Sequence, residues 1–353
     1  VNSRTLFIIA GLCFAGATAL ALGPLARMRA AAGGTSAGEA IAAVQPGEFA
    51  GTLMLGGFRG LACDLMWLRA DRAKESGRLY ESVALSQAIV RVQPRFEQIW
   101  EYLAWDQAYN LANETEDPDA KWGWFLAGLT TNAQGCLRNP DSDRLLRHLA
   151  WMFHHRGDVF RERVRSARWA ALVNPVLAAA NARLPESQRL PLLGDNDSGI
   201  GNYRLSERLY LAAMRLNDAT NGHMPVVARD LWAHAIERDG NQMRNRGEHR
   251  AALARYLEAL RAWDAVRTWC MAPALDAADA GRRELHRDIA EQNQGRLRRK
   301  TAMMGLSLAN DHALGERFAD AVDAGRWDEA ATLAAGPGWR SVATVVRGKW
   351  ADE

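Results

Sequence analysis

The chain has 353 residues, is 48% hydrophobic and 24% charged, and carries a formal net charge of +3. That is ordinary for a core-forming protein of one large or two medium domains. It excludes a disordered polar chain, and it lacks the strongly basic balance that nucleic-acid binding requires. Thirteen tryptophans against six tyrosines is the compositional oddity, and helix hairpins that fill interhelical gaps with indoles would account for it. The four cysteines, at 13, 63, 136 and 270, show neither Cys-x-x-Cys nor any haem or metal spacing, so no disulfide framework can be inferred.

From Thr5 to Ala26 the chain runs 22 residues without a charge, which as helix spans about 33 Å, enough for a bilayer core. Arg4 and Arg27 flank it. The length favours an uncleaved N-terminal anchor (1–29) over a signal peptide with a cleavage site near Ala19-Leu20-Ala21. A lone N-terminal anchor of this kind most often leaves the short N-terminus in the cytoplasm and the large domain on the other side of the membrane, which is the expectation here. Residues 30–48, rich in Ala, Gly and Ser, read as a juxtamembrane linker.

Helical patterns follow at approximately 62–76, 79–92, 96–112, 119–137, 142–156 and 158–173. They are broken at Gly77, Pro94, Asp117-Pro118, Asn139-Pro140 and Gly157 and closed by Asn174-Pro175. Residues 183–203, with two prolines and three glycines, read as an irregular linker between helical regions 49–182 and 204–353. Beyond it helices are expected at about 204–217, 225–238, 247–268, 280–304, 306–323, 327–335 and 339–349. Few residues favour strands, so the fold class is all-α.

Four glycines precede a ring-bearing residue by two or three positions: Gly77 and Tyr80, Gly157 and Phe160, Gly247 and His249, Gly325 and Trp327. Each glycine is expected to turn the chain between antiparallel helices, with the ring plugging the start of the second. Their intervals, about 80 to 90 residues, are roughly twice a helix-hairpin period, as an α-solenoid requires.

The stretches Gly77 to Pro94, Leu146-x-x-Leu149-Ala150-x-x-Phe153 through Gly157, Gly247 to Leu260 and Gly325-Arg326-Trp327-Asp328-Glu329-Ala330 resemble tetratricopeptide repeats, matching the family pattern in pieces. Residues 50–160 further resemble uncharacterised bacterial single-pass membrane proteins with such repeats. The likeness lies in Phe58-Arg59-Gly60, Asp64 to Ala70, Gln93 to Trp100 and Ala108-Tyr109-Asn110. This resemblance implies a solenoid of antiparallel helix hairpins behind an N-terminal transmembrane helix, and it implies no reaction.

Candidate chemistry is sparse. His286-Arg287-Asp288 with Asn293 has the spacing of a kinase catalytic loop but no glycine-rich nucleotide loop or Asp-Phe-Gly to accompany it. Asp195-Asn196-Asp197-Ser198-Gly199 opens like a calcium loop and lacks the closing Glu. His148, His154 and His155 are the densest histidines, yet adjacent helical residues diverge by about 100° and make a poor metal site. Arg296 to Lys300 could meet lipid headgroups, or be a solvated face. No catalytic residue, cofactor or metal ligand is therefore expected, and the protein is read as a non-enzyme.

The constellation that remains is positional. Trp105 follows Trp100 by five residues and Trp151 follows Leu146 by five, which places both indoles equivalently on the first helices of successive hairpins. Glu101, Tyr109, Arg147 and His155 flank them at the same spacing. Together these six residues are expected to line a groove that anchors a protein partner, a component of a membrane or envelope complex. The alternative is an accessory subunit of a larger membrane complex, held by its anchor and terminal helices.

Overall fold

The computed structural model describes residues 59–194, 199–220, 227–273 and 277–340. The expected anchor 5–26, the linker 30–48, the Asp195–Ser198 loop and most of the expected last helix lie outside the described residues. Among the described residues the chain is helical without a strand; the nearest approach to one is an isolated antiparallel bridge between Ala309 and Trp339. No described helix is long and apolar enough to cross a membrane.

In chain order the helices are α1 (Arg59–Glu75), α2 (Leu79–Val92) and α3 (Glu97–Trp105), continued by a π-helical segment Asp106–Leu111 and a last turn α4 (Ala112–Glu114). Then come α5 (Pro118–Arg138), α6 (Asp143–Val159), α7 (Arg161–Ser166), α8 (Ala170–Asn181) and α9 (Asn202–Ala219). The rest are α10 (Val227–Asn245), α11 (His249–Cys270), α12 (Ala277–Leu308), α13 (His312–Asp323) and α14 (Trp327–Ala335). Local chemistry sets several starts. Asp117 caps α5 by accepting from Ala120 N at 2.7 Å, with Pro118 in the first turn where its missing N–H is harmless. Ser142 caps α6 by accepting from Leu145 N at 3.2 Å.

Gly77, Gly247 and Gly325 turn the chain as expected, with φ of 72°, 80° and 72°. At each the following residue's N–H reaches back to the last helical turn, as in Arg78 N to Ala73 O at 2.8 Å, Glu248 N to Met243 O at 3.0 Å and Arg326 N to Ala321 O at 2.8 Å. This is the left-handed glycine cap. A Cβ at Gly77 would meet nothing within 4 Å, so Gly77→Ala isolates backbone strain. It is expected to lower stability by about 1 kcal/mol in urea unfolding.

Gly157 departs from the pattern. It lies inside α6, and a Cβ there would come within 3.1 Å of Asn202 Cβ; the residue is small so that α9 can approach, not so that the chain can turn. Tyr80 departs too, being 71% exposed, while its neighbour Leu79 packs on the core. The helix expected at 158–173 is split by Ala167–Trp169, where Trp169 Nε1 donates to Val164 O at 2.8 Å. Pro175 sits within α8, forfeiting one backbone bond near the helix start instead of ending it.

Helices α3 and α6 run in the same direction with a near-constant offset. Ser142 Oγ donates to Glu97 at 2.7 Å, Arg144 to Glu101 at 2.5 Å, and Arg156 to Asn113 at 2.8 Å, pairs separated by 45, 43 and 43 residues. The same offset recurs behind them, where Arg163 donates to Asp119, 44 residues earlier, at 2.6 Å. Helix α5 closes tightly on α3 because Gly128 and Gly135 face it; a Cβ at Gly128 would lie 2.6 Å from Ala104 O, and one at Gly135 2.8 Å from Trp100 Cβ.

Two apolar cores result. One gathers buried residues from Cys63 to Ala228, the other from Ala233 to Trp339, and they part within α10. The irregular 183–203 segment, read from sequence as a linker, is fastened to the first core. Leu190 and Leu193 are buried in it, Asn181 bonds both backbone groups of Leu190 at 2.8 Å, and Asn174 holds those of Leu193 at 2.8 and 2.9 Å. Across that segment α9 packs along α6, with Asn202 Nδ2 donating to Phe153 O at 3.2 Å.

Candidate functional site

The parallel pair α3 and α6 brings four of the six expected residues into one stack. Trp105 lies 6.1 Å from Tyr109 with planes 18° apart, and Tyr109 lies 5.2 Å from Trp151 and 5.8 Å from His155. Trp151 and His155 are parallel to within 4° at 5.0 Å, and His148 extends the stack at 6.0 Å from Trp151. Spacings of three and four residues align rings along each helix, and the 46-residue offset lets Tyr109 bridge the two helices. Its hydroxyl meets His155 Nδ1 at 3.1 Å. Burial pushes the Tyr109 pKa up, against the lowering influence of Arg156, so the phenol stays protonated. Stacked rings spend their faces on one another. Trp105 and Trp151 remain half-buried, each with part of its indole open to solvent.

Both indoles border an open groove of about 440 Å³ lined by Trp67, Gln98, Glu101, Tyr102, Trp105, Arg144, His148 and Trp151. Lys74 of α1 closes one end of the ring stack, its Nζ 4.7 Å from the Trp105 centroid and 4.8 Å from that of Tyr102. A carboxylate holds it there, since Asp106, buried at the start of the π segment, lies 3.7 Å from the same ammonium. Trp67 packs at 5.2 Å from Tyr102 and 6.0 Å from Phe96, tying the first hairpin to the groove wall.

His148 is neutral. Its pKa is lowered from 6.5 to about 4, chiefly by burial, with Arg144 and Arg147 adding to the effect and Glu101 opposing it. Cys136 Sγ donates to Asn132 Oδ1 at 3.6 Å, which fixes the amide so that Nδ2 donates to His148 Nδ1 at 2.6 Å. The remaining ring nitrogen carries the proton.

Glu101 is in the groove but paired with Arg144. Arg147, expected there by the 46-residue spacing, pairs instead with Asp143 on its own helix at 3.4 Å and does not line the groove; Arg144 stands in its place. Trp67, Gln98, Tyr102 and His148 were not anticipated. Tyr102 and Gln98 share the helix of Glu101, so a helical wheel drawn one position wider would have found them. No residue pattern announces the π segment, a feature frequent at functional sites.

The other motifs dissolve in context. His286 Nδ1 contacts Asp230 Oδ2, and Asp288 pairs with the adjacent Arg287 at 3.3 Å in the middle of α12, so the kinase-like spacing is not a catalytic loop. His148, His154 and His155 face different partners, and no group of three potential metal ligands occurs among the described residues. The basic run on α12 is partly engaged within the protein: Arg296 pairs with Glu237 at 2.8 Å, and the Arg298 guanidinium lies 5.0 Å from the Trp327 ring. The described cysteines, Cys63, Cys136 and Cys270, are buried.

Comparison with known protein families finds none whose pattern matches the chain, and no curated protein shows significant similarity to it.

Proposed function

We propose that the protein is a membrane-anchored adaptor with a tetratricopeptide-like solenoid, holding a protein partner of an envelope complex in the groove between α3 and α6. The observation that carries this reading is the pair of indoles, Trp105 and Trp151, set 46 residues apart on parallel helices and both lining one open groove. Rings locked in a stack lose little freedom when a ligand arrives, so the surface is preorganised. Half-buried aromatic residues with a flanking Arg are the composition of binding hot spots. Anchoring by residues 5–26 in the bacterial inner membrane, with the helical domain in the periplasm, belongs to the same proposal.

The partner is found by affinity capture of the full chain from its native membranes. Trp105→Ala with Trp151→Ala is expected to weaken capture at least tenfold, consistent with about 1–2 kcal/mol per anchor, while Trp232→Ala on α10 leaves it unchanged. Equal capture by all three proteins would mean that the partner sits elsewhere.

A further inference from the structure

Helices α10 and α12 run in the same direction along a polar seam. Arg296 reaches Glu237 at 2.8 Å and Lys300 Nζ donates to Asn241 Oδ1 at 2.5 Å, both pairs 59 residues apart. Spacings of four and three residues put Glu237, Asn241 and Arg244 on one stripe of α10, and Arg296 and Lys300, one turn apart, meet it from α12. Tyr256 of α11 completes the seam. Its ring centroid lies 4.5 Å from Lys300 Nζ, and its hydroxyl donates to the same Asn241 oxygen at 2.8 Å.

The charges in the seam do not balance. It holds three cations, Arg244, Arg296 and Lys300, and one carboxylate, the buried Glu237, which is already paired with Arg296. Among the described residues neither Arg244 nor Lys300 pairs with a carboxylate, and Arg244 makes no hydrogen bond. Both are half-buried, so water compensates them only in part. Lys300 registers the imbalance: its pKa is lowered from 10.5 to about 8, first by burial and then by Arg244, with Glu237 opposing the fall and Arg296 adding to it. Tyr256 stays protonated, because burial pushes its pKa up. Ionisable groups shifted by burial and by identifiable neighbours cluster at functional sites.

We propose that this seam binds a phosphate group, held by Arg244 and Lys300 with Arg296 at its rim. The planar fork of Arg244 takes two phosphate oxygens at once, and the ammonium of Lys300 has two donors left after Asn241 accepts one. The phosphate brings the negative charge that the seam lacks and holds Lys300 in its protonated form. A soluble phosphate and the headgroup of an anionic phospholipid share this chemistry. None of these residues lines the groove between α3 and α6, so the site stands or falls separately from the adaptor reading.

The test reads the Lys300 pKa in the full chain, kept in a neutral detergent, from the pH dependence of its acetylation by trace acetic anhydride, followed by mass spectrometry against an added reference amine. The expected value is about 8 in sodium chloride. In saturating inorganic phosphate at equal ionic strength it is expected to rise by at least about one unit, which is a tenfold preference of the anion for the protonated lysine. Arg244→Gln, with helicity checked by circular dichroism, is expected to lose most of that rise. A full rise in Arg244→Gln, or an equal rise with acetate in place of phosphate, would overturn the proposal. Where inorganic phosphate gives no rise, the protein is placed in vesicles of phosphatidylcholine with and without phosphatidylglycerol. A rise only with phosphatidylglycerol assigns the site to a lipid headgroup, and no rise in either vesicle overturns the proposal.

Discussion

Replacing Arg255 with methionine is expected to cost about 3–5 kcal/mol of stability, the loss that follows when one partner of a buried ion pair is removed. Arg255 lies on α11 with its side chain 4% exposed, and its Nε is 2.8 Å from Oδ2 of Asp239, itself 5% exposed. Glu207 sits at 2.5 Å on the other side, and Glu258 also pairs with the guanidinium. Burial by itself would lower the Arg255 pKa; Glu207 and Asp239 outweigh it and hold the group above its usual value. Without the cation, Asp239 keeps only the half-exposed Arg204 at 3.0 Å, and Glu207 becomes a repelling neighbour. The double replacement Arg255→Met with Asp239→Leu removes both charges and is expected to recover at least half of the loss. Urea unfolding of wild type, single and double variants measures both quantities. A loss below 1 kcal/mol in the single variant would show that water already solvates these carboxylates.

Acidification is the second large lever. His154 is buried between the rings of Tyr203 and Tyr210, 5.2 and 6.2 Å away, and burial lowers its pKa from 6.5 to about 3, with Arg238, His234 and His155 pushing the same way. His148 is lowered to about 4. Above pH 6.5 both histidines are neutral whether folded or unfolded, so they contribute no pH dependence. As the pH falls below that value the unfolded chain takes up protons that the folded protein refuses. Stability therefore drops between pH 6.5 and about 4 for His148, and on towards 3 for His154. A displacement of this size corresponds to on the order of 3 kcal/mol per histidine. The urea midpoint measured from pH 7.5 to 4.5 is expected to decline less steeply in His154→Gln and His148→Gln than in wild type, because the carboxylates common to all three proteins cancel in the comparison. Parallel curves would mean that these imidazoles take up protons while the protein stays folded.

Much of the architecture is legible in the residues because its determinants are local. Pro118, Ser142, Gly77, Gly247 and Gly325 each act within one turn of helix, and each marks a boundary where the structure has one. The offset between Trp105 and Trp151, and between Tyr109 and His155, is also legible, since two helices of similar length in parallel register repeat their chemistry at a fixed distance.

What escapes the sequence depends on contacts between distant segments. Gly157 has the same neighbours in sequence as a turn glycine, and only the arrival of Asn202 decides that it lies within a helix. Arg147 falls at the right spacing for the groove, but Asp143, one turn before it, claims the guanidinium and leaves the position to Arg144. The 183–203 segment looks like a linker because prolines and glycines end helices wherever they occur; Asn174 and Asn181, which fasten it, look like any helix-end asparagine. The widened turn at Asp106–Leu111 places Asp106 beneath Lys74, a pairing that joins α1 to the π segment across 32 residues and has no local signature.

The groove as a partner-binding surface is tested most directly by photo-crosslinking in living cells from Gln98, which lines the groove without belonging to the ring stack. With a benzophenone amino acid there, the account predicts a discrete protein adduct that disappears when Trp105 and Trp151 are replaced by alanine. An adduct that survives those replacements, or one that forms only from an exposed position outside the groove such as Tyr80, would contradict it.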